Sequence, residues 1–191
     1  ISDHAESFEP WKPDSPVRFK GRKCESAGEY VREISRVRAV YEGKLVVLTG
    51  VEIGYQSGRD DEIRDFLGRD PYDYAIGSVH TSPPVSWWDP SSAIALRDSL
   101  DLGRKALLHY YTELREAAES RLFDIIGHVD VYERYFPRQW PDVVADPVLA
   151  PVVRAAIKSI ADHSRMELNL STLNTLNDFP WSALPLLRIY R

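Results

Sequence analysis

The stretch Val46-Val47-Leu48-Thr49-Gly50-Val51-Glu52 is an apolar run that ends in a carboxylate. Its side chains do not alternate between polar and apolar, which is typical of a parallel strand buried on both faces. A carboxylate at the end of such a strand is costly to bury unless a metal ion or a basic group satisfies it. The pattern predicts a strand over residues 45–53 and indicates a functional role for Glu52.

Three histidines end short runs in the same way, in the stretches Ser2-Asp3-His4, Ile76-Gly77-Ser78-Val79-His80 and Ile125-Ile126-Gly127-His128. An α/β barrel builds its active site at the carboxyl ends of its strands, where imidazole and carboxylate groups can bind metals. The joint pattern therefore predicts a metalloenzyme. Each histidine also has an alternative explanation when taken alone. His4 could be a surface residue, and the other two could each hydrogen-bond a backbone carbonyl.

Helical and extended segments alternate along the chain, which predicts a single α/β domain over residues 1–191 with a parallel sheet and right-handed crossovers. A capping box at Ser26 begins a predicted helix that ends at Gly43. Further helices are predicted over 62–67, over 90–119 with a break at Gly103, from Pro147 and from Pro180. Strands are predicted over 74–79, 123–126 and 166–170, and loops over 8–25 and at Pro83-Pro84.

The composition is that of a globular chain of 191 residues, with 43% hydrophobic and 28% charged residues. The 24 basic and 29 acidic residues give a net charge of -5, so we expect no nucleic-acid partner. The single cysteine, Cys24, excludes an internal disulfide and leaves His, Asp and Glu as the metal ligands. This cysteine usage and the lack of a long apolar stretch predict a cytoplasmic protein without a membrane partner. His109 and His163 fall in predicted helices and are interpreted as ordinary helical histidines.

The ligand stretches together resemble successive motifs of the PHP (polymerase and histidinol phosphatase) superfamily. These motifs are Ser2-Asp3-His4, Gly50-Val51-Glu52, Gly77-Ser78-Val79-His80 and Ile126-Gly127-His128-Val129-Asp130. The phrases Tyr72-Asp73-Tyr74-Ala75-Ile76-Gly77-Ser78-Val79-His80 and Met166-Glu167-Leu168-Asn169-Leu170-Ser171 are similar to its histidinol-phosphatase branch in particular. The order and spacing of the motifs are also of the family's kind, and the resemblance covers essentially the whole chain.

The resemblance implies a distorted (β/α)7 barrel whose strand ends hold two or three divalent metal ions, either zinc, manganese or iron. In such a site His4 would bind one metal, Glu52 would bridge two, and His80 and His128 would complete the ligands of another. The family's first His-x-His motif is expected before the first residue, and its last Asp-x-His motif after the last. We therefore expect a longer native chain, and a barrel that is incomplete at both ends in this one.

The activity that the resemblance implies is hydrolysis of a small phosphate monoester, with L-histidinol phosphate as the expected substrate. A hydroxide held between two cations would attack phosphorus in line, and the cations would neutralise charge on the phosphoryl oxygens. Asp130 is the candidate proton donor to the leaving alkoxide, or else a support for a metal ligand. Trp87 and Trp88 could wall the pocket or pack against a helix. Basic residues that could bind the substrate phosphate are Arg134 first, and then Arg18, Lys20, Arg59 and Arg138.

Three other functions are compatible with parts of the pattern. The same metal frame could act on a nucleotide, an oligonucleotide end or a phosphotyrosine, although the acidic net charge disfavours nucleic acid. The chain could be a scaffold that has lost its metals. It could also be a carbohydrate-cleaving barrel that uses Glu52 and Asp130 as paired carboxylates, but the three histidines would then have no explanation.

Overall fold

A parallel sheet organises the computed structural model of the chain, which describes residues 2–5, 17–19, 22–24, 26–83, 85–87, 99–134, 142–168 and 183–191. Its strands are β1 (Ser2–His4), β4 (Gly50–Gly54), β5 (Tyr74–Ser78), β8 (Ile125–Ile126) and β9 (Arg165–Met166), hydrogen-bonded in that order. Two antiparallel hairpins pair β2 (Val17–Phe19) with β3 (Arg22–Cys24) and β6 (Thr81–Ser82) with β7 (Val85–Ser86). The helices are α1 (Ala27–Val40), α2 (Asp60–Leu67), α3 (Leu100–Ser120), α4 (Ala150–His163) and α5 (Ala183–Tyr190), with a 3-10 turn at Val131–Arg134.

Every pairing within the five-stranded sheet is parallel, and helices lie between most of its strands in the sequence. This arrangement confirms the predicted α/β class, and the five strands are a part of the expected barrel. The registers place Glu52 of β4 opposite His4 of β1 and Ile76 of β5. All strands therefore end at the same edge of the sheet.

Helix α1 forms where the sequence predicts it and is tied both to β4 and to the segment that leads into β4. Ser26 is its N-cap, and the side-chain hydroxyl of Ser26 accepts a hydrogen bond of 3.2 Å from the backbone N–H of Glu29. The fully buried Tyr30 donates its hydroxyl to the carbonyl of Gly50 at 3.0 Å. Near the C-terminal end, Arg38 donates to the carbonyl of Val47 at 2.8 Å. These contacts fix the direction from which the chain enters β4.

The prediction of one continuous strand over 45–53 is wrong in its first half. Residues 45–49 form no regular secondary structure and pair with no described strand, and Leu45 and Val46 are 62% and 90% exposed. The register explains this difference, because β1 begins to pair with β4 at Gly50. Thr49 is held by Asp73 instead. The Thr49 N–H donates to the Asp73 carboxylate, and the Asp73 N–H donates to the Thr49 carbonyl, at 2.7 Å each. An apolar run therefore does not by itself mark the length of the buried strand.

Other predicted elements also differ from the structure in where they begin and end. Helix α3 begins at Leu100 after a cap at Ser99, and Gly103 lies buried inside the helix rather than breaking it. The predicted loop over 8–25 contains the β2–β3 hairpin, and Pro83 lies between β6 and β7. Of the strand predicted over 123–126, only Ile125–Ile126 forms a β-strand. The predicted helix over 90–98, the helix start at Pro180 and residues 169–170 of the last predicted strand lie outside the described residues.

Helix α3 packs against the sheet and against α4, and its inward face is large and aromatic. Tyr110, Tyr111 and Leu114 are fully buried there, and Ile157 and Ile160 of α4 are buried as well. His109 and His163 lie in α3 and α4, as predicted for helical histidines. No helix in the described part of the chain combines the length and the hydropathy that a membrane span requires.

Candidate metal centre

The carboxylate of Glu52 lies among three imidazole rings. Its Oε1 atom is 3.2 Å from Nε2 of His80 and 3.4 Å from Nε2 of His128, and its Oε2 atom is 3.7 Å from Nε2 of His4. The ring centroids of His80 lie 5.4 Å from those of His4 and 5.5 Å from those of His128. The four residues singled out from the sequence thus meet at one place.

The topology of the sheet brings these four side chains together. His4 ends β1, Glu52 lies in the adjacent β4, and His80 and His128 each follow the end of their strand by two residues. Because the strands are parallel and adjacent, residues that follow each strand end project into one space. The site is therefore built at the carboxyl edge of the sheet, as the sequence predicts.

The cluster is largely shielded from solvent. The side chains of His80, His128 and Glu52 are 9%, 13% and 17% exposed, and the side chain of His4 is 33% exposed. Burial opposes ionisation of Glu52, but hydrogen bonds to His128 and His80 outweigh it and hold the pKa of Glu52 well below its ordinary value. Burial also raises the pKa of Asp3, which precedes His4. Glu52 is thus an anion held by nitrogen donors.

This donor set suits a divalent metal ion. One ligand atom from each of His4, Glu52 and His80 lies within 4.8 Å of the others, which is close enough to share one cation. Neutral imidazole nitrogens and a carboxylate oxygen are the combination that zinc and related metals bind. The chemistry of the described cluster therefore fits the metals that the resemblance implies.

Two residues that the sequence analysis did not single out as site residues hold the backbone of His128. The backbone N–H of His128 donates to Oε2 of Glu167 at 2.5 Å, and the Tyr110 hydroxyl donates to the carbonyl of His128. The same hydroxyl lies 3.4 Å from Nδ1 of His128. The sequence signal for Glu167 was its place in the phrase Met166-Glu167-Leu168-Asn169-Leu170-Ser171, which is similar to the histidinol-phosphatase branch. For Tyr110 there was no such signal, because it lies within the helix predicted over 90–119.

Asp130 lies two residues beyond His128 and is buried. Burial raises the pKa of Tyr110 well above its ordinary value, and the charges of Tyr111 and Asp130 raise it further. Asp130 therefore lies near the hydroxyl that holds His128. Its role as an acid stays a prediction.

Among the basic residues predicted to bind phosphate, the structure describes the side chain of Arg59, but only the backbone of Arg134 and Arg18. Arg59 is engaged at the surface, where its Nη2 lies 2.6 Å from the Glu62 carboxylate. Arg134 ends the 3-10 turn that follows the site, so its backbone is close to the site in sequence. The side chains of Arg134 and Arg18 lie outside the described residues, as do Lys20 and Arg138 altogether.

Trp87 packs in the core rather than lining an open pocket. It is buried, its indole N–H donates to the hydroxyl of Ser82 at 3.0 Å, and its ring lies edge-on to Tyr110 at 5.6 Å. This contact supports the helix-packing alternative for Trp87. Trp88 lies outside the described residues.

The fold and the cluster define an α/β protein with a histidine and glutamate centre at the carboxyl edge of a parallel sheet. The sequence profile of the PHP domain matches residues 1–170. The chain belongs to the PHP domain family, as the resemblance of its motifs predicts.

Two curated relatives match parts of the chain. The "Probable histidinol-phosphatase" of Deinococcus radiodurans is 35% identical over 138 residues, which cover 72% of this chain and 49% of the relative. The "Histidinol-phosphatase" of Lactococcus lactis subsp. lactis is 28% identical over 109 residues, which cover 57% of this chain and 39% of the relative. The chain thus spans about half or less of the length of these relatives.

A solved structure shares the fold. The crystal structure of histidinol phosphate phosphatase from Lactococcus lactis subsp. lactis, complexed with zinc, L-histidinol and phosphate, superposes with a TM-score of 0.68 at 19% identity. The likeness covers 99% of this chain and 67% of that chain. At this identity the superposition shows the fold alone, and it confirms the predicted fold class.

Proposed function

We propose that the protein is a metal-dependent phosphomonoester hydrolase whose substrate is L-histidinol phosphate. One observation carries the proposal, namely the meeting of Glu52 with the imidazoles of His4, His80 and His128. The names of the two relatives and the ligands of the Lactococcus structure support the choice of substrate. Membership of the PHP domain family supports the reaction class.

The residues that would hold the metals are the four of the cluster. Glu52 offers two oxygens that face different histidines, Oε2 toward His4 and Oε1 toward His80 and His128, and this carboxylate and the three imidazoles would together hold the metal ions. Two or three divalent ions, zinc, manganese or iron, would supply Lewis-acid stabilisation of the phosphoryl oxygens and activate water for attack on phosphorus. A carboxylate and neutral imidazoles are the donor types that these cations bind.

Two further residues have proposed roles in the reaction. Asp130, buried just beyond His128, would give a proton to the alkoxide that leaves when the phosphorus–oxygen bond breaks. Arg134, at the end of the following 3-10 turn, would bind the substrate phosphate through its guanidinium. Both lie on the chain segment that follows His128 in sequence. This placement supports the assignment, because that segment continues from the carboxyl edge of the sheet.

The test measures metal content and turnover on the natural protein that contains this chain. Elemental analysis should find bound zinc, manganese or iron, and hydrolysis of histidinol phosphate should exceed that of p-nitrophenyl phosphate. Turnover confined to nucleotides, oligonucleotides or phosphotyrosine would reject histidinol phosphate as the substrate and assign one of these compounds instead. Neither metal nor turnover would indicate a non-catalytic member of the family and overturn the proposal.

A matched pair of histidine variants makes the test specific. His80→Ala should lose metal and at least about 100-fold in activity, since a bound cation contributes several kcal/mol to such a reaction. His109→Ala removes an imidazole of the same size from helix α3, where it is 42% exposed beside Glu113. That variant should retain both metal and activity. Equal losses in the two variants would argue against a metal centre at His80.

A further inference from the structure

The backbone of His128 adopts a conformation that its sequence does not favour. Its φ angle is +26°, in the left-handed half of the φ range, where residues other than glycine are uncommon. Such a conformation persists only where the surrounding structure enforces it, and it is often found at functional sites. The contacts that enforce this conformation also determine where the imidazole of His128 lies, and that imidazole reaches Glu52.

Contacts from two different elements hold the peptide groups of His128. Glu167, the residue after β9, accepts a hydrogen bond from the N–H of His128, and its own N–H donates to the carbonyl of Ile126 at 2.9 Å. Tyr110 of helix α3 donates its buried hydroxyl to the carbonyl of His128. The N–H and the carbonyl of one residue are therefore held by side chains from two distant parts of the sequence.

The residue before His128 is fixed just as tightly. The N–H of Gly127 donates to the carbonyl of Gly77 at 2.9 Å, so the chain still runs along β5 at this point. A β-carbon on Gly127 would overlap the hydroxyl of Ser78 and lie 3.5 Å from Oε2 of Glu167. The chain at Gly127 therefore lies too close to Ser78 for a side chain to fit there.

We propose that Glu167 is a positioning residue of the metal centre, which together with Tyr110 holds the His128 backbone so that its imidazole faces Glu52. The proposal rests on the proposed metal-dependent function, and it adds a residue that does not itself reach the cluster in the described contacts. Residues that orient metal ligands affect metal affinity by roughly 10-fold to 100-fold when they are changed. Glu167 acts through the backbone of a ligand rather than through its ring.

The test compares zinc binding by isothermal titration calorimetry in three variants of the natural protein that contains this chain, with the protein that carries the unchanged chain as the reference. Glu167→Ala removes the acceptor and should weaken zinc binding about 10-fold. Glu167→Gln keeps a carbonyl acceptor at the same place and should stay within about threefold of the unchanged chain. Asp124→Ala removes another carboxylate that accepts a backbone N–H, from Ala75 at 2.9 Å, and should leave zinc affinity unchanged. Equal affinity in Glu167→Ala and the unchanged chain, or equal losses in Glu167→Ala and Asp124→Ala, would overturn the proposal.

A second readout needs no metal and separates this proposal from the proposed function. Amide hydrogen exchange, followed by NMR, should show the His128 N–H protected in the unchanged chain and in Glu167→Gln, and exposed in Glu167→Ala. If the unchanged chain bound no zinc, the proposed function would fail, while loss of protection in Glu167→Ala would still support the positioning role. Unchanged protection in Glu167→Ala would overturn it whatever the zinc result.

Tyrosine variants keep the proposal testable if Glu167→Ala does not fold. Tyr110→Phe retains the aromatic ring and removes the hydroxyl that bonds the His128 carbonyl, so zinc should bind about 10-fold more weakly. Tyr111→Phe makes the same change in the neighbouring, equally buried tyrosine and should leave zinc binding unaltered. Identical zinc affinities for the two variants would contradict the role assigned to the His128 backbone.

Discussion

Oε1 of Glu52 lies 3.2 Å from Nε2 of His80, although the two residues come from different strands and His80 lies beyond the end of its own. The pairing of β4 with β5 brings the two strand ends side by side, so the imidazole of His80 becomes one of the three that surround the buried carboxylate. The contact shows that the centre is assembled by the parallel sheet. It also identifies Glu52 as the residue whose change should reveal most about the site.

Replacing Glu52 with Gln should abolish metal binding and activity while leaving the fold intact. A neutral amide would be a much weaker ligand for a divalent cation than the carboxylate, so we expect a loss of about 100-fold or more in turnover. The free energy of unfolding in the absence of metal should fall at neutral pH, because the hydrogen bonds that lower the pKa of Glu52 stabilise the ionised carboxylate more than a neutral amide, but the variant should remain folded. Circular dichroism during thermal unfolding would check the fold, and elemental analysis the metal. A variant that was unfolded at room temperature would indicate a structural role instead.

Glu113→Gln should stabilise the protein at neutral pH but not in acid. Burial is the main cause of the raised pKa of Glu113, whose carboxylate accepts a hydrogen bond from the Ser57 N–H. Because the folded-state pKa is above the unfolded value of 4.5, ionisation lowers the free energy of unfolding as the pH rises through the folded pKa. A neutral Gln avoids that loss and can still accept the hydrogen bond. Urea unfolding at pH 4 and pH 7 should show a gain only at pH 7.

Asp146→Asn should have the opposite pH dependence. Burial opposes ionisation of Asp146, but hydrogen bonds from Arg104 and from the backbone N–H groups of Leu149 and Val148 lower its pKa. With the folded-state pKa below 3.8, the stabilisation is present above about pH 4 and is lost as the pH falls through the folded pKa. We expect the variant to lose about 2 kcal/mol at pH 7, and a smaller amount below about pH 3. A pH-independent difference in urea unfolding would refute this assignment.

Gly77→Ala should destabilise the sheet near the site. A β-carbon at Gly77 would lie 2.5 Å from the ring of Phe123, which is buried and has little freedom to move. Overpacking of this kind costs about 2 kcal/mol. Gly68→Ala is the control, because its β-carbon would meet nothing closer than the Arg64 carbonyl at 3.4 Å. Chemical unfolding should separate the two variants clearly, and similar midpoints would contradict the packing argument.

The strand-end ligands were predictable because each signal is local. A short apolar run followed by His or Glu indicates a strand and the residue at its end, and parallel topology then requires the ends to meet. The helix cap at Ser26 is local in the same sense. Strand lengths were less predictable, since Leu45 and Val46 are as apolar as the strand itself but have no neighbouring described strand to pair with.

The sequence by itself determined the α/β class, the PHP family and the four residues that meet at the centre, because each depends on residue type and order along the chain. Only the tertiary structure decided that Glu167 and Tyr110 hold the backbone of His128. These contacts join residues that are distant in sequence, and their geometry depends on how helix α3 and strand β9 pack around β8. No local pattern encodes such a contact, since its energy arises only when the elements are in place.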